Sequence, residues 1–369
     1  MSLNAARGIF FCLFAFLAAF IAPIFMLFPL LPLLFLPPIV KPTIFRKIVD
    51  PLIWYWESLL VGLLDHVACV KTVITGDRIR SDDHCLFLMN HRTRLDWMFF
   101  WPCLFKLNAM RHERVVLKGQ LKHVPGPGWS MQFGLFVFIQ RKWELDKLFL
   151  TKILDHFRDV KNTAQLLLFP EGTDLTPFTK TRSDAFAEKN GLPKFNYVLH
   201  PRTTGFTFLA QHMKKNGTLD AIYDITIGYP VNIPQNELSL FKGDFPQEVH
   251  YHIKRNPCHQ IPDTEKGLVS WCQERWSEKE ERLEQFYAQK HFSEPQTVSP
   301  DSRNLQSFFT VISWLVLLFF QVWMLVNFSL IRWYALFALA TMLFIDLRLG
   351  GLDNFQIDTY NKLFRAKND

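Results

Sequence analysis

The sequence has few cysteines and none of the spacings that mark common metal or nucleotide sites. Its six cysteines are scattered over 369 residues without a CxxC pair, which excludes a disulfide scaffold. An HExxH pair, a Walker loop and a GxGxxG fingerprint are all missing from the sequence. We therefore expect neither a metal ion nor a resident cofactor.

Charged residues are missing from a long stretch near the beginning of the chain. Residues 8–40 carry no charge, and a helix needs roughly 20 apolar residues to cross a bilayer. A cleaved signal peptide is the alternative, but its apolar core is usually about 7–15 residues. We predict a retained anchor over 1–40, with a helix near 8–28 and then a broken or re-entrant piece. The reason is its five prolines: Pro23, Pro29, Pro32, Pro37 and Pro38.

A second uncharged stretch lies near the other end. Residues 304–331 can span a bilayer, whereas the apolar run after Arg332, residues 333–345, has only 13 residues. We expect that run to dip into the membrane or to lie at its interface. We therefore predict a membrane hairpin over residues 304–346 and a polar tail over residues 347–369.

The segment between these ends, 41–300, has the pattern of one α/β domain. Strands are predicted at 70–75, 85–89, 135–139, 165–169, 219–229 and 248–253, and helices at 97–107, 145–160 and 268–287. Strands that alternate with helices indicate an α/β fold, and the Pro-Gly-Pro-Gly run at 125–128 indicates a turn or loop. The net charge of +7 beside two membrane stretches fits an anionic lipid surface better than nucleic acid.

The strongest candidate for chemistry follows the predicted strand 85–89, in the run Asn90-His91-Arg92-Thr93-Arg94-Leu95-Asp96. On one continuous helix, side chains five residues apart diverge by about 140°. His91 and Asp96 can meet if His91 lies in the loop and Asp96 in the first helical turn. A carboxylate would fix the tautomer of His91 and stabilise its cation, as a general base requires. A His–Asp pair that only caps a helix is the structural alternative.

No nucleophile accompanies this pair, because GxSxG is absent and Gly128-Trp129-Ser130-Met131-Gln132 does not fit it. His91 could therefore activate a substrate hydroxyl directly.

Other candidates lie at predicted strand ends or in loops. Glu171 and Gly172 belong to Phe169-Pro170-Glu171-Gly172-Thr173, where the glycine would let a ligand approach the backbone; an ordinary turn is the alternative. Arg141 suits phosphate through its planar guanidinium, although a solvated basic residue is more common. The loop around Arg202 could bind an anion or be an ordinary turn. Lys180 and Arg182 could add positive charge at the entrance of the site or be ordinary surface residues.

Four blocks follow one another in a specific order over residues 86–205: NHRTRLD, FIQR, FPEGT and LHPRTTG. This order resembles the glycerolipid acyltransferase family, which contains the 1-acylglycerol-3-phosphate acyltransferases. The runs NHRTRLDWMFFW, FPEGTDLT and YVLHPRTTGFTF are most similar to its lysocardiolipin acyltransferase branch. The resemblance covers about 41–290 together with the membrane segments, and it implies an α/β acyltransferase domain.

The resemblance also implies a mechanism. His91 would take the proton from a lysophospholipid hydroxyl, which then attacks the thioester of acyl-CoA, the co-substrate, while Asp96 orients His91. No acyl-enzyme is needed, which agrees with the missing nucleophile. Contacts to the phosphate and glycerol of the anionic acceptor would come from Arg141, Glu171, Gly172, Thr173 and Arg202.

One residue departs from the family pattern. Many members have Arg after FPEGT, whereas this chain has Asp174, which removes a positive charge beside the expected phosphate site. Lysophosphatidic acid is thereby disfavoured relative to lysocardiolipin, lysophosphatidylinositol and lysophosphatidylglycerol. The resemblance implies a multi-pass protein of the endoplasmic reticulum membrane. A membrane lipid hydrolase and a non-catalytic lipid-binding scaffold remain as alternatives.

Overall fold

The computed structural model describes residues 2–35 and 42–365. Pro37, Pro38 and the last four residues of the predicted polar tail lie outside the described residues. The strands are β1 (Lys71–Gly76), β2 (Cys85–Met89), β3 (Glu113–Lys118), β4 (Val137–Ile139), β5 (Gln165–Leu168), β6 (Ala221–Gly228) and β7 (Glu248–Pro257). All six predicted strands are present, and β3 is additional.

The α-helices are α1 (Leu3–Ala22), α2 (Pro42–Gly62), α3 (Asp96–Lys106), α4 (Pro127–Phe133), α5 (Trp143–Asp159), α6 (Pro177–Lys189), α7 (Thr203–Lys215), α8 (Glu237–Phe241), α9 (Glu265–Gln289), α10 (Asn304–Asn327), α11 (Ser329–Arg348) and α12 (Leu352–Tyr360). The prediction of a turn or loop over 125–128 is wrong for its second half, because Pro127 begins α4. Proline is favoured at the first position of a helix, where its missing N–H is not needed.

The chain divides into two compact units that each draw on three segments. Unit 1 comprises Met1–Cys12, Leu63–Glu113 and Thr163–Asn304, and unit 2 comprises Leu13–Gly62, Arg114–Asn162 and Leu305–Asp369. Alternation of strands and helices along the chain confirms the predicted α/β fold class.

Unit 1 is built on strands in the order β1-β7-β6-β2-β5. Among the described strand pairs of unit 1, β6 and β7 run antiparallel, whereas β1 and β7, β2 and β6, and β2 and β5 run parallel. Every residue of β2 and of β6 is buried, as expected for parallel strands covered on both faces. Continuous apolar runs such as CLFLM in β2 therefore place these strands at the centre of the unit.

Three helical segments are long and apolar enough to cross a membrane, judged by length and composition within the described residues: Leu3–Leu34, Asn304–Asn327 and Ser329–Arg348. The first begins at Leu3 rather than near residue 8. It also shows no break in its described part, because Pro23 and the prolines after it lie in π- and 3₁₀-helical turns that continue α1.

The prediction that the last apolar run is too short to span is also wrong. Arg332 does not interrupt it, since this residue lies in the first turn of α11. Its guanidinium donates to the carbonyl oxygens of Leu325 and Val326, at 3.1 and 2.8 Å, at the end of α10. Those carbonyls lack helical partners, so the arginine caps one helix while beginning the next.

The segment after α11 contains α12, which is attached to unit 2 by buried polar contacts. Lys122 Nζ donates to Gly350 O at 2.7 Å and lies 2.7 Å from Asp353 Oδ1. Gln132 Oε1 accepts the N–H of Leu352 at its start. The described part of the predicted polar tail is therefore held by hydrogen bonds and an ion pair to other residues of unit 2.

A buried histidine in α5 makes unit 2 sensitive to acid. Burial, with the nearby Arg46 charge, lowers the pKa of His156 to about 3. The unfolded chain therefore binds a proton below about pH 6.5 that the folded chain rejects, and stability falls as the pH drops, by up to about 1.4 kcal/mol per pH unit. We expect His156→Gln to lose part of this acid sensitivity, measured as the Tm difference between pH 7.5 and pH 5 in detergent.

The matched control is His259→Gln, since His259 is exposed. This variant should keep the pH dependence of the unsubstituted chain. Equal pH dependence in the two variants would contradict a neutral buried His156.

Candidate active site

The carboxyl ends of three parallel strands meet at one edge of the sheet in unit 1. β2 pairs with β5 on one side and with β6 on the other. Polar residues that follow these strands therefore come together, at the edge where functional side chains collect in α/β folds. They are His91 after β2, Glu171 after β5 and Tyr229 after β6.

His91 and Asp96 adopt the arrangement that their spacing predicts. His91 lies in the loop after β2 (residues 90–95, the His91 loop), and Asp96 is the first residue of α3. The Nδ1 atom of His91 is 3.0 Å from Oδ2 of the fully buried Asp96. Because an ionised carboxylate can only accept, this contact assigns the proton to Nδ1 and leaves a lone pair on Nε2.

Asp96 is itself held by two further residues. Oδ2 also accepts the N–H of Thr93 at 2.9 Å, and Oδ1 accepts the hydroxyl of Tyr229 at 2.6 Å. Burial raises the pKa of Tyr229 well above its ordinary value, so the phenol keeps the proton that it donates. The carboxylate is thereby fixed in the orientation that serves His91.

The ring of His91 is placed by stacking and faces an open side. It stacks on Phe169 with 4.2 Å between the centroids and 28° between the planes, and its side chain is 16% exposed. Among the described residues, its Nε2 has no hydrogen-bond partner, neither a serine hydroxyl nor a cysteine thiol. This nitrogen can accept a proton from a molecule that enters the site.

Glu171 supports the His91 loop from behind. It is 3% exposed, and its Oε1 accepts the N–H of His91 and the indole N–H of Trp276, both at 3.2 Å. Its Oε2 accepts the N–H of Leu199 at 3.1 Å. Burial raises the pKa of Glu171 to about 8, although these three donors oppose the rise. Both oxygens are engaged by the protein.

The turn after β5 borders a cavity of about 230 Å³ in unit 1. Gly172 has φ +71°, which L side chains rarely adopt, and a Cβ there would lie 3.6 Å from Cδ of Arg202. Besides Glu171, the polar residues that line the cavity carry guanidinium, imidazole or hydroxyl groups: Thr173, Thr179, Arg182, Ser183, His200 and Arg202. In the described part of the chain, neither arginine has a carboxylate partner. A small anion is the natural occupant of such a cavity.

Arg141 belongs to unit 2, where it follows β4 by two residues. Its φ is +61°, and the turn is secured by the N–H of Gln140, which donates to Asp146 Oδ1 at 2.7 Å. It lines a cavity of about 850 Å³ together with Lys118, the last residue of the paired strand β3. The structure thus groups His91, Asp96, Glu171, Gly172, Thr173 and Arg202 in unit 1 and sets Arg141 in unit 2.

Two residues of this site escape sequence reasoning. Tyr229 is the last residue of the strand predicted over 219–229, so its position at a strand end is a usable signal. Trp276 has no such signal, because it lies in a charged helix that is distant in sequence from every motif. Only the packing of α9 shows that its indole nitrogen reaches Glu171.

Two family models match the chain. One, described as acyltransferase, matches residues 71–231, and the other, described as acyltransferase C-terminus, matches residues 239–314. The first match contains both His91 and Asp96 as well as the turn at Glu171.

Similar proteins match between about two thirds and nearly all of the chain. Lysocardiolipin acyltransferase 1 of Mus musculus is 42% identical over 97% of this chain and 96% of its own length. Lysophosphatidylinositol acyltransferase 10 of Caenorhabditis elegans is also 42% identical, over 66% of this chain and 63% of its own. The crystal structure of the 1-acyl-sn-glycerophosphate acyltransferase PlsC from Thermotoga maritima is similar with a TM-score of 0.49 and 16% identity, over 78% of this chain and 98% of that chain.

Proposed function

The chain belongs to the acyltransferase family and is a lysophospholipid acyltransferase, and from this premise we propose that it takes the acyl group from acyl-CoA. The fatty acyl group passes to the free hydroxyl of an anionic lysophospholipid. No resident cofactor or metal enters the proposed reaction.

The proposed chemistry is direct transfer with His91 as general base. Nε2 takes the hydroxyl proton as the acceptor oxygen forms a bond to the thioester carbonyl carbon. The tetrahedral intermediate then expels the CoA thiolate, which recovers the proton from the imidazolium. Asp96 stabilises that cation through Nδ1–H. The observation that carries the proposal is the buried Asp96 paired with a His91 whose Nε2 faces the open side.

The absence of a neighbouring nucleophile among the described residues supports this route over an acyl-enzyme. In the described residues, Nε2 of His91 has no serine or cysteine partner, which covalent catalysis would require. The attacking oxygen is therefore assigned to the acceptor itself.

We assign the phosphate of the acceptor to the cavity of Arg182 and Arg202. The cavity adjoins the His91 loop, since Leu175 N donates to His91 O at 2.8 Å and Thr173, two residues earlier, lines the cavity. In a lysophospholipid the free hydroxyl and the phosphate share one glycerol, so they lie a few bonds apart. The phosphates of CoA lie beyond the long pantetheine arm and suit a more distant site.

Arg202→Ala and Arg182→Ala should each raise the KM for the lysophospholipid about tenfold, because each removes a charge-assisted hydrogen bond. The kcat should stay within about twofold, since these contacts exist in the ground state as well. Steady-state kinetics of the purified protein in detergent, with each substrate varied separately, measures both constants.

Lys180→Ala is the matched control, because Lys180 lies on the same helix but pairs with Asp184 at 2.7 Å. It should leave both constants unchanged. A rise in the KM for acyl-CoA instead of the lysophospholipid would overturn the assignment and give the cavity to the CoA phosphates.

The acceptors that we propose are lysocardiolipin, lysophosphatidylinositol and lysophosphatidylglycerol, ahead of lysophosphatidic acid. Two relatives carry the names of the first two. Asp174 adds a negative charge beside the cavity, which disfavours the small dianionic headgroup of lysophosphatidic acid. Arg141 and Lys118 in unit 2 offer a second cationic surface for anionic groups of the substrates. We place the chain in the endoplasmic reticulum membrane, on the three candidate spans and the lipid substrate.

Transfer of labelled oleate from oleoyl-CoA tests the proposal. Membranes that contain the chain are given each of the four acceptors, with oleoyl-CoA or free oleate as donor. We expect labelled phospholipid only with oleoyl-CoA, and least with lysophosphatidic acid. Release of free oleate without transfer would support a hydrolase, and no turnover at all would support a scaffold.

A further inference from the structure

The His91 loop is held from behind by a helix that contributes nothing to the motifs. We propose that Trp276 of α9 is a positioning residue for acyl transfer, which acts by holding Glu171 against the backbone of His91. The inference rests on the proposed role of His91 as general base.

A single carboxylate oxygen links the two residues. Glu171 Oε1 accepts both the indole N–H of Trp276 and the backbone N–H of His91, each at 3.2 Å. The second oxygen is held by Leu199 N at 3.1 Å, so the carboxylate cannot turn without breaking a buried bond. Glu171 is therefore a bridge between α9 and the residue that carries the base.

Complete burial makes these contacts costly to lose. Trp276 is 0% exposed and Glu171 is 3% exposed, so water cannot replace a missing donor. A shift of about 1 Å in a group that reacts can cost about 10²-fold in rate. If Glu171 moved, His91 would be displaced with it, because Glu171 Oε1 accepts the backbone N–H of His91.

A second residue on the same face of α9 anchors the strand that leads into the loop. Lys279, three residues after Trp276, is fully buried and lies 5.3 Å above the indole ring. Its Nζ donates to Leu88 O at 3.3 Å and to Ile225 O at 2.5 Å, and it pairs with Asp224. α9 thereby fixes the end of β2 as well as Glu171.

This arrangement gives the C-terminal part of the enzyme a defined task. α9 lies within residues 239–314, the segment matched by the acyltransferase C-terminus model, outside the match that contains His91. The helix carries its contribution through two side chains to the first residues of the active site.

Trp276→Phe tests the proposal, because it keeps most of the ring and removes the N–H. We expect kcat to fall about tenfold, with the KM values for both substrates within about twofold. Trp271→Phe is the matched control: Trp271 lies on the same helix and stacks on Phe206, away from Glu171. It should match the unsubstituted enzyme in kcat.

A double substitution separates positioning from general destabilisation. If Trp276 acts through Glu171, the loss of kcat in Trp276→Phe with Glu171→Ala should equal that of Glu171→Ala alone. Multiplied losses would contradict the bridge, and so would a Trp276→Phe enzyme with unchanged kcat. If Trp271→Phe lost as much kcat as Trp276→Phe, the loss would be explained by destabilisation of α9 and the positioning role would be rejected.

The same series keeps this inference apart from the proposed function. A His91→Ala enzyme that still transfers acyl groups would remove the general base and, with it, the premise. An inactive His91→Ala enzyme beside a fully active Trp276→Phe enzyme would reject only the positioning role.

Discussion

His91→Ala should lower the rate of acyl transfer by about 10²–10⁴-fold, the usual contribution of a positioned general base. The substitution removes the nitrogen that accepts the hydroxyl proton, while Asp96 keeps its bonds to Thr93 and Tyr229. The fold should persist, since the His91 side chain is 16% exposed and touches Phe169 on one face only. Transfer from labelled oleoyl-CoA, with equal protein amounts and equal Tm, gives the ratio.

The control for this result is His200→Ala, a histidine that lines the neighbouring cavity without contact to Asp96. It should reduce turnover far less. Transfer by His91→Ala within about tenfold of the unsubstituted enzyme would contradict general base catalysis by this residue.

Asp96→Asn should be nearly as damaging, at about 10²–10⁴-fold, although it changes only one group. The amide that replaces Oδ2 is a donor, so it turns Nδ1 of His91 into an acceptor. The ring proton then moves to Nε2, which can no longer take a proton from the acceptor hydroxyl. Alternatively, the amide oxygen keeps His91, and the amide nitrogen then opposes the donating hydroxyl of Tyr229.

Tyr229→Phe provides the graded control for Asp96→Asn. It removes one donor to Oδ1, at 2.6 Å, but leaves the bond between His91 and Oδ2 intact. We expect a loss of about tenfold or less, together with a measurable fall in Tm from the lost buried hydrogen bond. If Asp96→Asn were no worse than Tyr229→Phe, the tautomer argument would be wrong.

The central pair was predictable because the interaction is local. Five residues separate His91 from Asp96, and a strand-to-loop-to-helix reading of that one run is enough to bring them together. The bond between Trp276 and Glu171 joins residues that are 105 apart in sequence, and it depends instead on how α9 packs against β2 and β6. No spacing rule reports a contact of that kind.

Errors in the helices have a similar origin. Arg332 interrupts the apolar run in sequence, but in the structure it lies in the first turn of α11, where it caps α10. α6 went unpredicted because its run PFTKTRSDAFAEK has no apolar period; a capping box at Thr176 and Thr179 fixes its start. In both places a polar side chain forms hydrogen bonds with backbone groups at a helix end. A hydropathy pattern contains no information about such bonds.

The α10–α11 segment has a polar contact at each end. Before the segment, Asn304 O lies 3.1 Å from His66 Nε2; after it, Asp353 binds Lys122. Within the described residues, no candidate span lies between 42 and 303. The segment supplies two candidate spans, and two crossings return the chain to the side from which it left. A reporter fused after α12 would therefore share the compartment of His91.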